Sequence, residues 1–328
     1  MKICVIGGGS WGTALANLLA KKNYDVSLYI RNKELLEILD EKRINEIYLP
    51  QIKLCPQLKF ISSVKECLSY TEIVVLTVPV QFLREALLKI KDYVTKKHVF
   101  INCSKGIEKQ TLYFPSDIVE QILNVKNFAQ LSGPNFAREV AMELPTATVI
   151  ASNDINLARE LQRIFFTPYF RTYTSDDVLG VQLAGALKNV IAIACGISDG
   201  LRLGENARAS LITRGLAEIR RLGKILGAKE ETFMGLSGIG DLILTCTGNL
   251  SRNRDVGLKL GRGEKLSHII QNLIMVAEGI DTTKSATKLA EKHNVDIPIT
   301  SAVYNILYED KKPFQALSEL MRRPLKKE

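Results

Sequence analysis

The chain has 328 residues, room for two or three domains, and its 44 Lys and Arg against 35 Asp and Glu leave a formal charge of +9. A content of 46% hydrophobic and 24% charged residues excludes a disordered chain, and 22 Gly with 10 Pro exclude collagen-like and low-complexity classes. The positive balance favours anionic partners, but no block of five like charges occurs, and the basic tail at 322–327 reads as a solvated end, not a nucleic-acid patch.

In chain order, residues 2–6 form a short apolar run with β-branched members, the pattern of a buried strand and too short for a secretory signal. A glycine cluster follows, then helical spacing over 13–22 and a strand over 25–30. Further strands are expected at 72–78, 98–103 and 146–151, with a helix over 81–93. Strands alternating with helices imply a parallel sheet with right-handed crossovers. Beyond Ser175 only helical patterns remain, at 176–197, 208–226, 254–260, 282–293 and 301–308. The sequence therefore divides into an α/β domain (1–175) and an all-helical domain (176–328). Residues 178–197 approach the length of a membrane span, but Gln182, Lys188 and Asn189 interrupt them, so a buried helix and no membrane span are expected. The six cysteines (4, 55, 67, 103, 195 and 246) are scattered without a C-x-x-C pair. They read as reduced thiols of a cytoplasmic protein, and no metal-ligand spacing is present.

Gly7-x-Gly9-x-x-Gly12 lies directly after a strand and opens a helix. In that context the first Gly permits a tight turn, the second lets backbone approach a pyrophosphate, and the third allows close helix–strand contact. Dinucleotide binding follows. The next strand ends Leu28-Tyr29-Ile30-Arg31-Asn32, without the acid that would bond a ribose 2′-hydroxyl. Arg31 stands where a 2′-phosphate needs a partner, so NADP(H) is expected, with NAD(H) possible. Reduction of a ketone needs a proton donor for the developing alkoxide. His98, His268 and His293 have no motif-like setting, which leaves lysine. Lys188 is the one charge in its apolar helix, with Asn189 beside it. A buried ammonium is costly, so a lysine there has a task unless it snorkels to solvent. Lys105 follows a strand, at the sheet edge where ligands bind, though a solvated loop lysine fits that position equally well. Finally, a glycine-rich stretch holding Asp241 leads to Ser251-Arg252-Asn253. Ser251 is suited to cap the following helix, and a helix N-terminus with a guanidinium makes a phosphate site.

Together these segments resemble the bacterial NAD(P)-dependent sn-glycerol-3-phosphate dehydrogenase family. The likeness runs from residue 3 to about 310. It is carried by residues 7–13, Ser104-Lys105-Gly106-Ile107-Glu108, Ser132-Gly133-Pro134-Asn135-Phe136-Ala137-Arg138-Glu139, Ala186-Leu187-Lys188-Asn189-Val190, and residues 199–218, 235–255 and 278–279. The resemblance implies a Rossmann-type domain followed by an all-α domain like the C-terminal part of 6-phosphogluconate dehydrogenase. It implies reduction of dihydroxyacetone phosphate to sn-glycerol 3-phosphate, the glycerophospholipid backbone. In that reading Lys188 is the general acid/base, and Lys105 holds substrate and polarises its carbonyl. Asn189, Asp241 and Thr245 order the lysine and the substrate hydroxyl. Ser251, Arg252 and Asn253 bind the phosphate, and Gly133 and Asn135 line the site. Gly7, Gly9, Ser10, Trp11, Gly12, Arg31, Lys105, Ala137, Arg252, Val276 and Glu278 contact the dinucleotide. Two departures stand out: Asn135 where the family usually has Ser, and Asn23-Tyr24 where Gly-His is common. Reductases of 3-hydroxy acids or ketopantoate share the architecture, and a non-catalytic NADP(H) sensor is a further reading. A homodimer is possible through the helix faces at 208–226 and 301–308.

Overall fold

The computed structural model describes residues 1–69, 71–325 and 327; Lys326 of the basic tail lies outside them. The backbone divides into two compact units. One comprises Met1–Lys105 and Tyr113–Gln182, the other Gly106–Leu112 and Leu183–Glu328.

The first unit runs β1 (Lys2–Ile6), α1 (Ser10–Lys21), β2 (Asp25–Tyr29), α2 (Lys33–Lys42), a small hairpin of β3 (Ile44–Asn45) and β4 (Leu49–Lys53), β5 (Lys59–Ile61) and α3 (Val64–Leu68). It continues through β6 (Ile73–Leu76), α4 (Val80–Ile90), β7 (Val99–Asn102), α5 (Pro115–Leu123), β8 (Phe128–Ser132), α6 (Ala137–Ala141), β9 (Thr146–Ala151), α7 (Ile155–Phe165) and β10 (Phe170–Ser175). The main sheet has eight strands in the order β10-β9-β8-β7-β6-β1-β2-β5. The central strands are apolar throughout because helices cover both faces; all of β6 is buried, as is β1 after Lys2. α4 shows the complementary helical pattern, burying Val80, Leu83, Leu87 and Ile90.

Two expectations need correction. The sheet is not wholly parallel: β8 and β9 pair antiparallel, whereas β9 and β10 are parallel to each other. The β8–β9 connection holds only the five-residue helix α6, too short to serve as a covering crossover helix. The cysteines are not all reduced either. Cys4 on β1 and Cys67 on α3 form a disulfide across 63 residues, leaving Cys55, Cys103, Cys195 and Cys246 as buried thiols. A pairing at that separation leaves no local spacing signal.

α8 (Val178–Gly200) leads into the second unit, which is helical. There follow α9 (Glu205–Leu226), α10 (Glu230–Phe233), α11 (Asp241–Thr247), α12 (Arg252–Gly261), α13 (Leu266–Gln271), α14 (Glu278–Lys292), α15 (Pro298–Tyr308) and α16 (Pro313–Met321). Among the described residues α8 alone is long and apolar enough to cross a membrane, and 89% of its apolar stretch is buried within the protein.

Candidate functional site

β1 lies between β6 and β2, the point where strand order reverses and where doubly wound sheets bind ligands. Gly7 has φ +122°, open to glycine, and a Cβ on Gly12 would overlap the Gly7 carbonyl oxygen. A Cβ on Gly9 would meet no protein atom within 4 Å. Gly9 also brings no capping side chain to α1, an arrangement suited to an anion at the helix N-terminus. Two residues fix this loop. Thr77 Oγ1 donates to the carbonyls of Ile6 (3.0 Å) and Gly7 (2.9 Å), and Asn45 Nδ2 donates to the Gly8 carbonyl (3.0 Å) and Thr13 Oγ1 (2.8 Å). The Trp11 indole N–H is buried without a protein acceptor. These features fit a dinucleotide pyrophosphate over the loop. Arg31 follows β2 and is exposed, while Asn32 beside it caps α2 by accepting from the Leu35 amide at 3.1 Å. Ala137 opens α6.

A second cluster sits at the end of β7. Buried Asn102 donates through Nδ2 to the Ser104 carbonyl (2.9 Å) and to Gln130 Oε1 (2.8 Å), and Gln130 Nε2 donates to the same carbonyl (3.2 Å). The backbone carrying Lys105 is thereby fixed. Lys105 Nζ donates to the Gly133 carbonyl and to Asn135 Oδ1, both at 3.1 Å. Gly133 has φ +148°, and a Cβ there would lie 3.0 Å from Thr148 Cα. Asn135 Nδ2 donates in turn to Thr148 Oγ1 at 3.2 Å. The Asn that departs from the family's Ser thus bridges Lys105 to Thr148.

The third cluster lies wholly in the helical unit. Lys188 Nζ donates to Asp241 Oδ1 (2.6 Å) and Thr245 Oγ1 (2.8 Å), with side-chain exposures of 8% for the lysine and 1% for the aspartate. Thr245 donates back to the Asp241 carbonyl at 2.6 Å, so its hydroxyl must accept from the ammonium. Asp241 begins α11, where the helix dipole favours a carboxylate. A wide helical turn at Leu236–Gly240 delivers it there, and a Cβ on Gly238 within that turn would overlap the Phe233 carbonyl oxygen. Beside Lys188, Asn189 Oδ1 accepts from Asn253 Nδ2 (2.9 Å), and Asn253 Oδ1 accepts from the Gly279 amide (3.0 Å). Ser251 caps α12, accepting from the Arg254 amide at 3.2 Å. Arg252 is accessible to solvent and donates to the Val276 carbonyl at 2.9 Å. Surrounding protein desolvates its guanidinium and lowers the pKa, with Glu278 opposing; an arginine keeps its charge regardless.

The expected residues therefore gather as a glycine loop, a Lys105–Gly133–Asn135 set, and a set joining Lys188, Asn189, Asp241, Thr245, Ser251, Arg252, Asn253, Val276 and Glu278. Asn45, Thr77, Asn102 and Gln130, which hold two of these sets in place, were not singled out from sequence. For Thr77, Asn102 and Gln130, a polar residue within or just after an apolar strand was the available signal.

Two family models match the chain. The NAD-dependent glycerol-3-phosphate dehydrogenase N-terminus covers residues 2–158 and the corresponding C-terminus covers 177–318. A glycerol-3-phosphate dehydrogenase (NAD(P)+) of Geobacter sulfurreducens is 52% identical over 330 residues, spanning 100% of this chain and 98% of that protein. One from Maridesulfovibrio salexigens is also 52% identical, spanning 100% of both. The crystal structure of glycerol-3-phosphate dehydrogenase from Coxiella burnetii superimposes with a TM-score of 0.95 at 40% identity, covering 98% of this chain and 99% of that one.

Proposed function

The chain belongs to the NAD-dependent glycerol-3-phosphate dehydrogenase family, and from this premise we propose that it reduces dihydroxyacetone phosphate to sn-glycerol 3-phosphate, reversibly, with Lys188 as the proton donor. The observation that carries this reading is the buried Lys188 ammonium, held by Asp241 and Thr245 in the unit that also presents Ser251, Arg252 and Asn253.

A nicotinamide, when bound, would supply the hydride for this reduction. Gly7, Gly9, Ser10, Trp11, Gly12 and Ala137 are the residues that would hold the dinucleotide in the sheet unit. Arg31 suits a 2′-phosphate and favours NADP(H). As negative charge grows on the carbonyl oxygen, Lys188 gives it a proton, completing a secondary alcohol. In the reverse direction its neutral amine takes that proton back. Asp241 keeps the nitrogen charged despite burial, and Thr245 fixes its direction. Lys105, oriented by Gly133 and Asn135, polarises the carbonyl. Asn189 and Asn253 orient substrate oxygens. Arg252 and the N-terminus of α12 bind the phosphate, so binding energy remote from the carbonyl aligns it for reaction.

Reductases of 3-hydroxy acids and ketopantoate act on carboxylates, for which a guanidinium at a capped helix N-terminus is not required. A sensor that never reacts would not need a buried ammonium beside Asn189. The deciding assay follows nicotinamide absorbance with NADPH and either dihydroxyacetone phosphate or ketopantoate. Oxidation with the phosphate ester alone is expected; turnover of ketopantoate alone, or of neither, would overturn the proposal. Repeating it with NADH and with Arg31→Ala reads the cofactor preference, which should shift away from NADPH in the variant.

A further inference from the structure

Lys188 and Asn189 ride on α8, and the residues proposed to bind phosphate are the N-cap of α12, Ser251, and its first-turn residues Arg252 and Asn253. These two helices meet backbone to backbone. A Cβ on Gly257 would overlap the Ile193 carbonyl oxygen and lie 2.9 Å from Gly196 Cα. A Cβ on Gly196 would overlap the Arg254 carbonyl oxygen. One turn further, Gly200 and Gly261 repeat the arrangement: a Cβ on Gly200 would lie 2.8 Å from Gly261 Cα, and one on Gly261 would lie 2.9 Å from Gly200 Cα. Polar bonds also tie the two helices together. On the site side, Asn253 donates to Asn189 at 2.9 Å. Between Gly196 and Gly200, Asp199, with a side chain only 13% exposed, pairs with Arg254 at 2.7 Å and with Arg208 at 2.9 Å.

We propose that this glycine seam sets the distance between the Lys188 ammonium and the phosphate anchor on α12, making Gly196 and Gly257 positioning residues that select phosphorylated substrates. The inference rests on the function proposed above. The short covalent link from phosphate to carbonyl in such a substrate limits how far apart the two groups can lie. A site that uses phosphate binding to align the carbonyl must hold its own two ends within that span. Side chains at a helix contact can change rotamer and absorb a shift, whereas two touching backbones cannot. A methyl group at Gly257 would push α12 off α8 by roughly 1 Å to restore van der Waals separation. Misplacement on that scale costs about 100-fold in rate when geometry is the source of catalysis.

The test compares kcat/KM for dihydroxyacetone phosphate and for dihydroxyacetone, which lacks the anchor group, in wild type and Gly257→Ala. The expected result is a loss of roughly 30-fold or more for the phosphate ester and a change within about threefold for dihydroxyacetone, both measured at saturating NADPH. Asp199→Asn adds no volume but loosens Arg254 and Arg208. It should show a smaller loss with the same selectivity, and it supplies the answer if Gly257→Ala does not fold. Equal losses on both substrates, or none on either, would overturn the inference. A wild-type protein that does not prefer the phosphate ester would instead sink the function on which the inference stands.

Discussion

An ammonium as buried as that of Lys188 requires a counter-charge, and Asp241 supplies it at 2.6 Å. The lysine was legible in the sequence because it is the one charge in a long apolar run. Its partner lies 53 residues away in a glycine-rich stretch, and only the family resemblance joined the two. Ser251 was legible as a cap on local grounds, since Ser before a helical pattern has a specific job. The disulfide, the Asn45 contacts to Gly8 and Thr13, and the Asn102–Gln130 pair were not, because their members lie far apart in sequence and meet only in the fold. Arg252 is the residue whose role is easiest to isolate. Losing one charge-assisted hydrogen bond to a phosphate removes about 1.5–3 kcal/mol. Arg252→Ala should therefore raise the KM for dihydroxyacetone phosphate roughly 10- to 100-fold and weaken the dinucleotide, as steady-state kinetics will read. Unchanged apparent affinity for both would remove the phosphate-anchor role.

Elements were legible where burial imposes a period or a continuous apolar run. β1, β9 and the core of α4 carry that signal in full, whereas α2 buries only Leu35 and Leu39 and α16 only Ala316. Periodicity also starts helices late, at Thr13, Arg208, Arg254, Thr282 and Ser301, where the structure begins them at Ser10, Glu205, Arg252, Glu278 and Pro298. First turns are mostly polar or begin with Pro because their N–H groups look outward for partners, so they lack the apolar repeat. The four glycines of the α8–α12 seam each cost a helix about 0.5–1 kcal/mol against Ala, a loss offset by close backbone contact. Another contact between elements carries a pH signature. Glu218 on α9, buried, accepts from the amides of Ile299 (2.6 Å) and Thr300 (3.1 Å) and from the Thr300 hydroxyl (3.1 Å), capping α15. Burial pushes its carboxyl up to about 7 from the ordinary 4.5, against these donors and Arg221. Between those values the folded state holds the extra proton. Glu218 should thus make stability fall as pH rises from 4.5 to about 7, by on the order of 3 kcal/mol, and leave it level on either side. Denaturant unfolding across that range should show the slope in wild type and its loss in Glu218→Gln; an identical slope in the variant would assign it elsewhere.

At the scale of the whole molecule, the change from alternating strands and helices to helices alone was plain from the sequence beyond residue 175. That residues 106–112 belong with the helical unit was not, since seven residues between β7 and α5 carry no compositional mark. The net charge of +9 acts at this scale too. A positive field draws in a dianionic substrate and is screened by salt. kcat/KM for dihydroxyacetone phosphate should fall several-fold between about 0.02 and 0.2 M salt while that for uncharged dihydroxyacetone stays level; equal responses would exclude steering. The central claim, that one buried lysine delivers the proton, is tested most directly by Lys188→Ala. Removing a general acid should lower kcat by about 100- to 10,000-fold, with NADPH still binding by fluorescence titration. Turnover at the wild-type rate in that variant would contradict the account.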